Sequence, residues 1–169
     1  MSDSSPAPAA PHVRELQVVR IKLGNERAAP QPDPLGRDLI GYAEGLTTHE
    51  LWLRGRGVWK AKLTTIAEAD LVLLVAEGTV QLVGTVDGAS FHDARVAVTG
   101  MPLPHHPLVG QSDPLPNNSQ NPIKYGTITT APPTAAMAES QRDHHQVLAH
   151  AIEVLTEAAH LRRRVLHQP

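Results

Sequence analysis

Between Arg14 and Leu23 the side chains alternate, with Val19, Ile21 and Leu23 on one side and Val18, Arg20 and Lys22 on the other, which predicts a β-strand. From Gly24 to Gly45 the chain holds three prolines and four glycines without a lasting period, so an irregular excursion or lid is expected there. Regular pattern returns at Leu46-Thr47-Thr48-His49-Glu50-Leu51. Thr47 and Glu50 form a capping box and Leu46 can staple against Leu51, so a short helix is predicted to begin here and to stop near Gly55. Gly57 to Ala61 is predicted to resume as a strand, and a second capping pair, Thr65 with Glu68, predicts one more helical turn before Asp70.

Leu71 to Ala76 is apolar at every position, as a central strand covered on both faces would be, although a buried helical segment would read the same way. The residues that follow favour the strand. Glu77-Gly78 is a two-residue turn, and Thr79 to Val86 alternates with Val80, Leu82 and Val86 on one side, which completes a hairpin. Arg95 to Thr99 and Ile123 to Thr129 are further β-prone segments, for five or six strands in all. Between them Gly100 to Pro122 carries six prolines and a run of amides, a long loop of the kind that is functional or disordered. After Pro132-Pro133, Leu148, Ala151, Ile152, Leu155, Ala158 and Ala159 fall on one stripe and predict an amphipathic helix over residues 134–167. Arg162, Arg163 and Arg164 in its last turns complement the negative end of the helix dipole. No internal repeat is present. Strands in meander-like succession, with short helices beside them, place the chain in the α+β class: a small barrel of mostly antiparallel strands over residues 12–130, rather than alternating βαβ units.

Composition narrows this picture. The 41% of hydrophobic residues are nearly all Val, Leu, Ile and Ala, and the aromatic residues are Tyr42, Trp52, Trp59, Phe91 and Tyr125, so the core is expected to be aliphatic. No cysteine is present, which excludes disulfides, thiolate metal ligands and a thiol nucleophile. Residues 1–11 are rich in Ser, Pro and Ala without a basic start or an apolar centre, and read as a disordered arm rather than a secretory signal. The longest apolar run, Leu71 to Ala76, is far short of the roughly 20 residues of a membrane span. A cytoplasmic protein that does not enter membranes is expected.

The net charge of −2 exerts no global pull on nucleic acid, but its distribution is uneven. Residues 12–63 hold nine Lys/Arg against six Asp/Glu, whereas residues 64–130 hold two against six. Arg54, Arg56, Lys60 and Lys62 form a basic cluster without an intervening acid, suited to a phosphate or simply to a solvated edge. The ten histidines show no HExxH motif and no i, i+4 pair, so no metal site is expected; no cofactor is implied either. Neither a G-x-S-x-G elbow nor a phosphate-binding GxxxxGK[ST] loop occurs, and no residue is selected as catalytic. The remaining constellation is polar and aromatic. Trp52 and Trp59 flank Arg54 and Arg56, and Asn121-Pro122-Ile123-Lys124-Tyr125 closes the long loop. Rings can stack on a base, cations can hold phosphate and an amide can read a base edge. Alternatively both indoles pack in the core and Asn121 caps a turn.

Three segments together resemble a known group. Glu50 to Trp59 is similar to the E-x-x-x-x-x-R-G-x-W opening of small bacterial domains of the PUA-like type, which stand alone or are fused to nuclease modules. Ala69 to Val83 matches the strand pair that follows in them, and Gln120 to Tyr125 matches their closing Q-N-P-I-[RK]-Y. The resemblance covers residues 14–129. It departs at Asp93 to Gly100, where those domains carry G-R-W-x-F-x-G, and at Pro107 to Gly110, in place of Y-V-G-K. By likeness to EVE, ASCH and SRA-like modules it implies a PUA-like β-barrel with a cleft for a nucleobase or nucleotide, often a modified base flipped from the duplex. A non-enzymatic nucleic-acid or nucleotide-binding module is therefore the first functional expectation. Arg54, Arg56, Lys60 and Lys124 would contact phosphate, and Trp52, Trp59, Asn121 and Tyr125 would line the cleft. A second reading is a scaffold that forms homo-oligomers through Leu148, Ile152 and Leu155 of the C-terminal helix. A third is an enzyme using histidines and carboxylates of the long loops.

Overall fold

The computed structural model describes residues 13–130, so the expected arm over 1–11 and the expected helix over 134–167 lie outside the described residues. In chain order the elements are β1 (Arg14–Lys22), β2 (Arg27–Ala28), β3 (Leu39–Ile40), α1 (Thr48–Gly55), α2 (Leu63–Ala67) and β4 (Leu71–Ala76). Then come β5 (Thr79–Thr85), β6 (Gly88–His92), β7 (Arg95–Thr99), β8 (Pro102–Leu103) and β9 (Ile123–Thr130). Among the described residues the fold is mixed α+β, mostly strands with two short helices.

The main sheet has the order β8-β5-β4-β1-β9. All six positions of β4 are buried, as its unbroken apolar run requires of a strand covered on both sides. β1 lies parallel to β4, with Val18 opposite Leu71 and Lys22 opposite Val75, and antiparallel to β9. The β4–β5 hairpin turns at Glu77 (φ 52°) and Gly78 (φ 74°), both left-handed, as a two-residue turn whose twist matches the strands demands. Strand alternation then sorts the core into two halves. Val19, Ile21, Val72, Leu74, Leu82 and Ile123 face one side, beneath α1, α2 and the β6–β7 ribbon. Val18, Leu71, Leu73, Val75, Val80 and Val83 face the other, beneath Leu103, Leu108, Val109 and Leu115 of the proline-rich segment.

That segment is ordered. It is stitched to the start of β5 by Val80 N–H to Gln111 O (2.9 Å), Gly110 N–H to Val80 O (2.8 Å) and Asp113 N–H to Gly78 O (2.8 Å). A buried ion pair pins it to β1, with Arg20 Nη2 at 2.5 Å from Asp113 Oδ2. His106 adds a pH-sensitive contact, because its Nδ1 accepts the Leu108 amide proton at 3.2 Å and burial lowers its pKa. A depressed native pKa means that the unfolded chain binds the proton more readily. The stability held by neutral His106 is therefore present above the ordinary imidazole range and is lost as pH falls through it. Replacing His106 by Gln should flatten the decline of stability between about pH 7 and pH 5, measured by urea denaturation across that range; an unchanged slope would rule this out.

Three expectations are corrected and one, the mostly antiparallel pairing, is refined. Among the described residues the main sheet is open: β8 ends after two residues, where Pro102 lacks an amide donor and Pro104 follows, and β9 pairs only with β1. β1 and β4 are parallel, so one crossover unit is present within a mostly antiparallel arrangement. Gly57 to Ala61 forms only a single bridge, Trp59 to Val96. The second helix starts at Leu63 without a side-chain cap, two residues before Thr65, because its phase is set by Ile66, which is completely buried.

Candidate functional site

α1 is fixed at both ends. At its start the Thr47 hydroxyl accepts the Glu50 amide proton (3.2 Å) and Glu50 Oε2 accepts the Thr47 amide proton (2.9 Å), which closes the capping box read from the sequence. At its end Arg37, a buried residue of the Gly24–Gly45 excursion, donates from Nη1 to the carbonyls of Leu53 (3.3 Å), Arg54 (3.2 Å) and Gly57. Asp33 holds the other edge of that guanidinium, with Nη2 at 2.8 Å from Oδ1, and this hydrogen bonding to Arg37 keeps its carboxyl below the usual carboxylate pKa. The seat of α1 on the sheet is close. A Cβ on Gly55 would lie 2.3 Å from Leu74 Cδ1, and a Cβ on Gly84 would lie 2.4 Å from Trp52 Cζ3.

These contacts decide where the candidate residues stand. Trp52 is 6% exposed and belongs to the core above the first face. Trp59 is half-buried and its indole N–H donates to Gly55 O at 2.8 Å. Arg54 is neutralised by Glu26, Nη1 to Oε2 at 2.5 Å. The Arg56 guanidinium reaches only Val98 O, at 3.4 Å, and its Nε is buried without a hydrogen-bond partner among the described residues. Lys60 is exposed and in no ion pair among the described residues. From the closing hexapeptide, Tyr125 pairs with Val19 and so lies over the first face, 38% exposed. Burial raises the pKa of its hydroxyl, while hydrogen bonding with the Lys62 backbone lowers it. Lys124 pairs with Arg20 on the opposite face, where its ammonium donates to Pro116 O at 3.1 Å. The Asn121 Oδ1 accepts the Ile123 amide proton at 3.0 Å and forms a turn.

The bridge from Trp59 to Val96 brings in residues that the sequence did not single out. Two backbone hydrogen bonds of 2.8 Å join Trp59 to Val96, and one of 2.7 Å runs from Val98 N–H to Arg56 O. One residue outward from the bridge stand Lys60 and Arg95, and Arg95 is itself paired with His92 across the β6–β7 ribbon. The ribbon turns at Asp93 (φ 42°) and Ala94 (φ 65°) and displays Phe91, the only phenylalanine, at 64% exposure. Among the described residues Lys60, Arg95 and Arg56 have no ion-pair partner.

Family models, curated proteins and solved structures give no match to this chain. Among the described residues no three His, Asp or Glu side chains gather as a metal-binding group, and no helix is long and apolar enough to cross a membrane.

Proposed function

We propose that residues 14–129 are a PUA-like module that binds nucleic acid or nucleotides without catalysing a reaction, with the open sheet and the β6–β7 ribbon together playing the part of the pseudo-barrel. The observation that carries this reading is the alignment of Arg56, Lys60 and Arg95 along the ribbon, with His92 beside them. Like charges set next to each other across strands are destabilising, and a cationic row outside any ion pair gains most from an anionic partner. Phe91 and Tyr125 are exposed rings, and exposed rings can stack on bases. Phosphate contact falls to Arg56, Lys60 and Arg95. Arg54, held by Glu26, contributes less, and Trp52 supports the surface from inside.

The test is fluorescence anisotropy of a labelled single-stranded oligonucleotide over a range of salt concentrations. Affinity should fall steeply with salt. The pair of substitutions Lys60→Ala and Arg95→Ala should weaken binding about tenfold or more and reduce the log–log salt slope by about 1.5 to 2, as expected for two lost phosphate contacts. Binding that ignores salt, or that the double variant leaves unchanged, would overturn the proposal.

A further inference from the structure

The opposite face of the sheet carries a second, separate feature. A cleft of about 330 Å³ opens there between β1 and the proline-rich segment, lined by Arg20, Lys22, Gly78, Ser112, Asp113 and Asn117 among others. Its floor is unusual for an aliphatic core. Arg20 sits opposite Leu73 in the sheet with its side chain 3% exposed. Burying a guanidinium costs free energy unless its donors are used. Asp113 Oδ2 accepts from Arg20 Nε (2.9 Å) and Nη2 (2.5 Å), while its Oδ1 accepts the Leu115 amide proton (2.9 Å), so the carboxylate is fully engaged. Arg20 Nη1 is different. Its one contact is with Asn117 Oδ1 at 3.4 Å, too long to be a strong hydrogen bond. Lys22, two residues along the same strand face, lines the same cleft and is in no ion pair among the described residues.

Counted by charge, the cleft holds two cations against one carboxylate that is already consumed. We infer that this cleft is a binding site for the phosphate group of a small phosphorylated molecule, held by Arg20 Nη1 and Lys22 Nζ, with Asn117 and Ser112 at its edge. A phosphate can accept from a guanidinium and an ammonium together, and its charge offsets the excess cation in a partly desolvated place. The volume lies at the lower end of the range for small-molecule sites, enough for a phosphate with a compact appendage. The site shares no residue with the ribbon surface proposed above.

Titration with inorganic phosphate, followed by two-dimensional amide NMR on the full chain, tests this. Saturable shifts are expected at Gly78, Ser112 and Asn117, with a Kd of about 1 mM or below. Lys22→Ala, a change at an exposed residue that leaves the Arg20–Asp113 pair intact, should raise that Kd about tenfold, whereas Lys60→Ala should leave it unchanged. Absence of saturable shifts in the parent protein, or shifts that Lys22→Ala does not weaken, would overturn the inference whatever the oligonucleotide experiment shows.

Discussion

Replacing Arg37 by alanine is expected to lower the free energy of unfolding by about 3–5 kcal/mol, because it leaves a buried carboxylate without its cation. Asp33 and Arg37 are both nearly closed to solvent, with side chains 3% and 7% exposed. Three carbonyls at the end of α1 lose their donor in the same step. Neither loss is made good by water without opening the excursion that covers the site. Arg37→Lys keeps the charge but not the fork that serves Asp33 on one edge and the helix end with Nη1, so it should restore only part of the loss. The pH dependence has a definite sign. Asp33 has a lowered native pKa, so the stability it provides is present above the ordinary carboxylate value and lost as pH falls through the native one. The deficit of Arg37→Ala relative to the parent should therefore shrink in acid. Urea denaturation at neutral and acid pH measures both, and a neutral-pH loss below about 1 kcal/mol would sink the account of Arg37 as the clamp of the helix end.

Those features that were legible in the chain are the ones whose causes are local. The Thr47–Glu50 box needs only four residues, and the hairpin at Glu77-Gly78 needs only a turn between two apolar runs. β4 was legible because its apolar run leads directly into that turn. The clamp and the cleft were not legible, since their partners lie far apart: Arg37 meets carbonyls 16 to 20 positions later, and Arg20 meets Asp113 93 positions later. The signal available was an arginine on the same strand face as Val18, a place where a charge must find a partner. The β6 strand was hidden by its composition, Gly-Ala-Ser-Phe-His, which carries no β-branched alternation. Without β6 the ribbon, and with it Arg95 and Phe91, could not be set beside Lys60. The Thr65–Glu68 pair shows the converse. A good local motif was overruled by the burial of Ile66.

The two tryptophans stand seven positions apart on either side of the same basic segment, and only tertiary packing separates their roles. Trp52 rests on Gly84 in the core, whereas Trp59 is half-buried beside the ribbon. Trp52→Ala should cost about 3–5 kcal/mol of stability, as removal of a large buried ring leaves a cavity that a sheet on one side and a helix on the other cannot close. Gly84→Ala should destabilise from the opposite direction, since the new methyl would displace the indole and also meets Met101 O at 3.2 Å. Trp52→Phe separates support from contact. That variant should be less stable, yet at a temperature where it remains folded it should bind oligonucleotide within about twofold of the parent. Its remaining indole, Trp59, should be the one that acrylamide quenches readily. A Trp52→Phe protein as stable as the parent but unable to bind would place Trp52 in contact with the ligand, and the surface would then have to be redrawn around α1 instead of the ribbon.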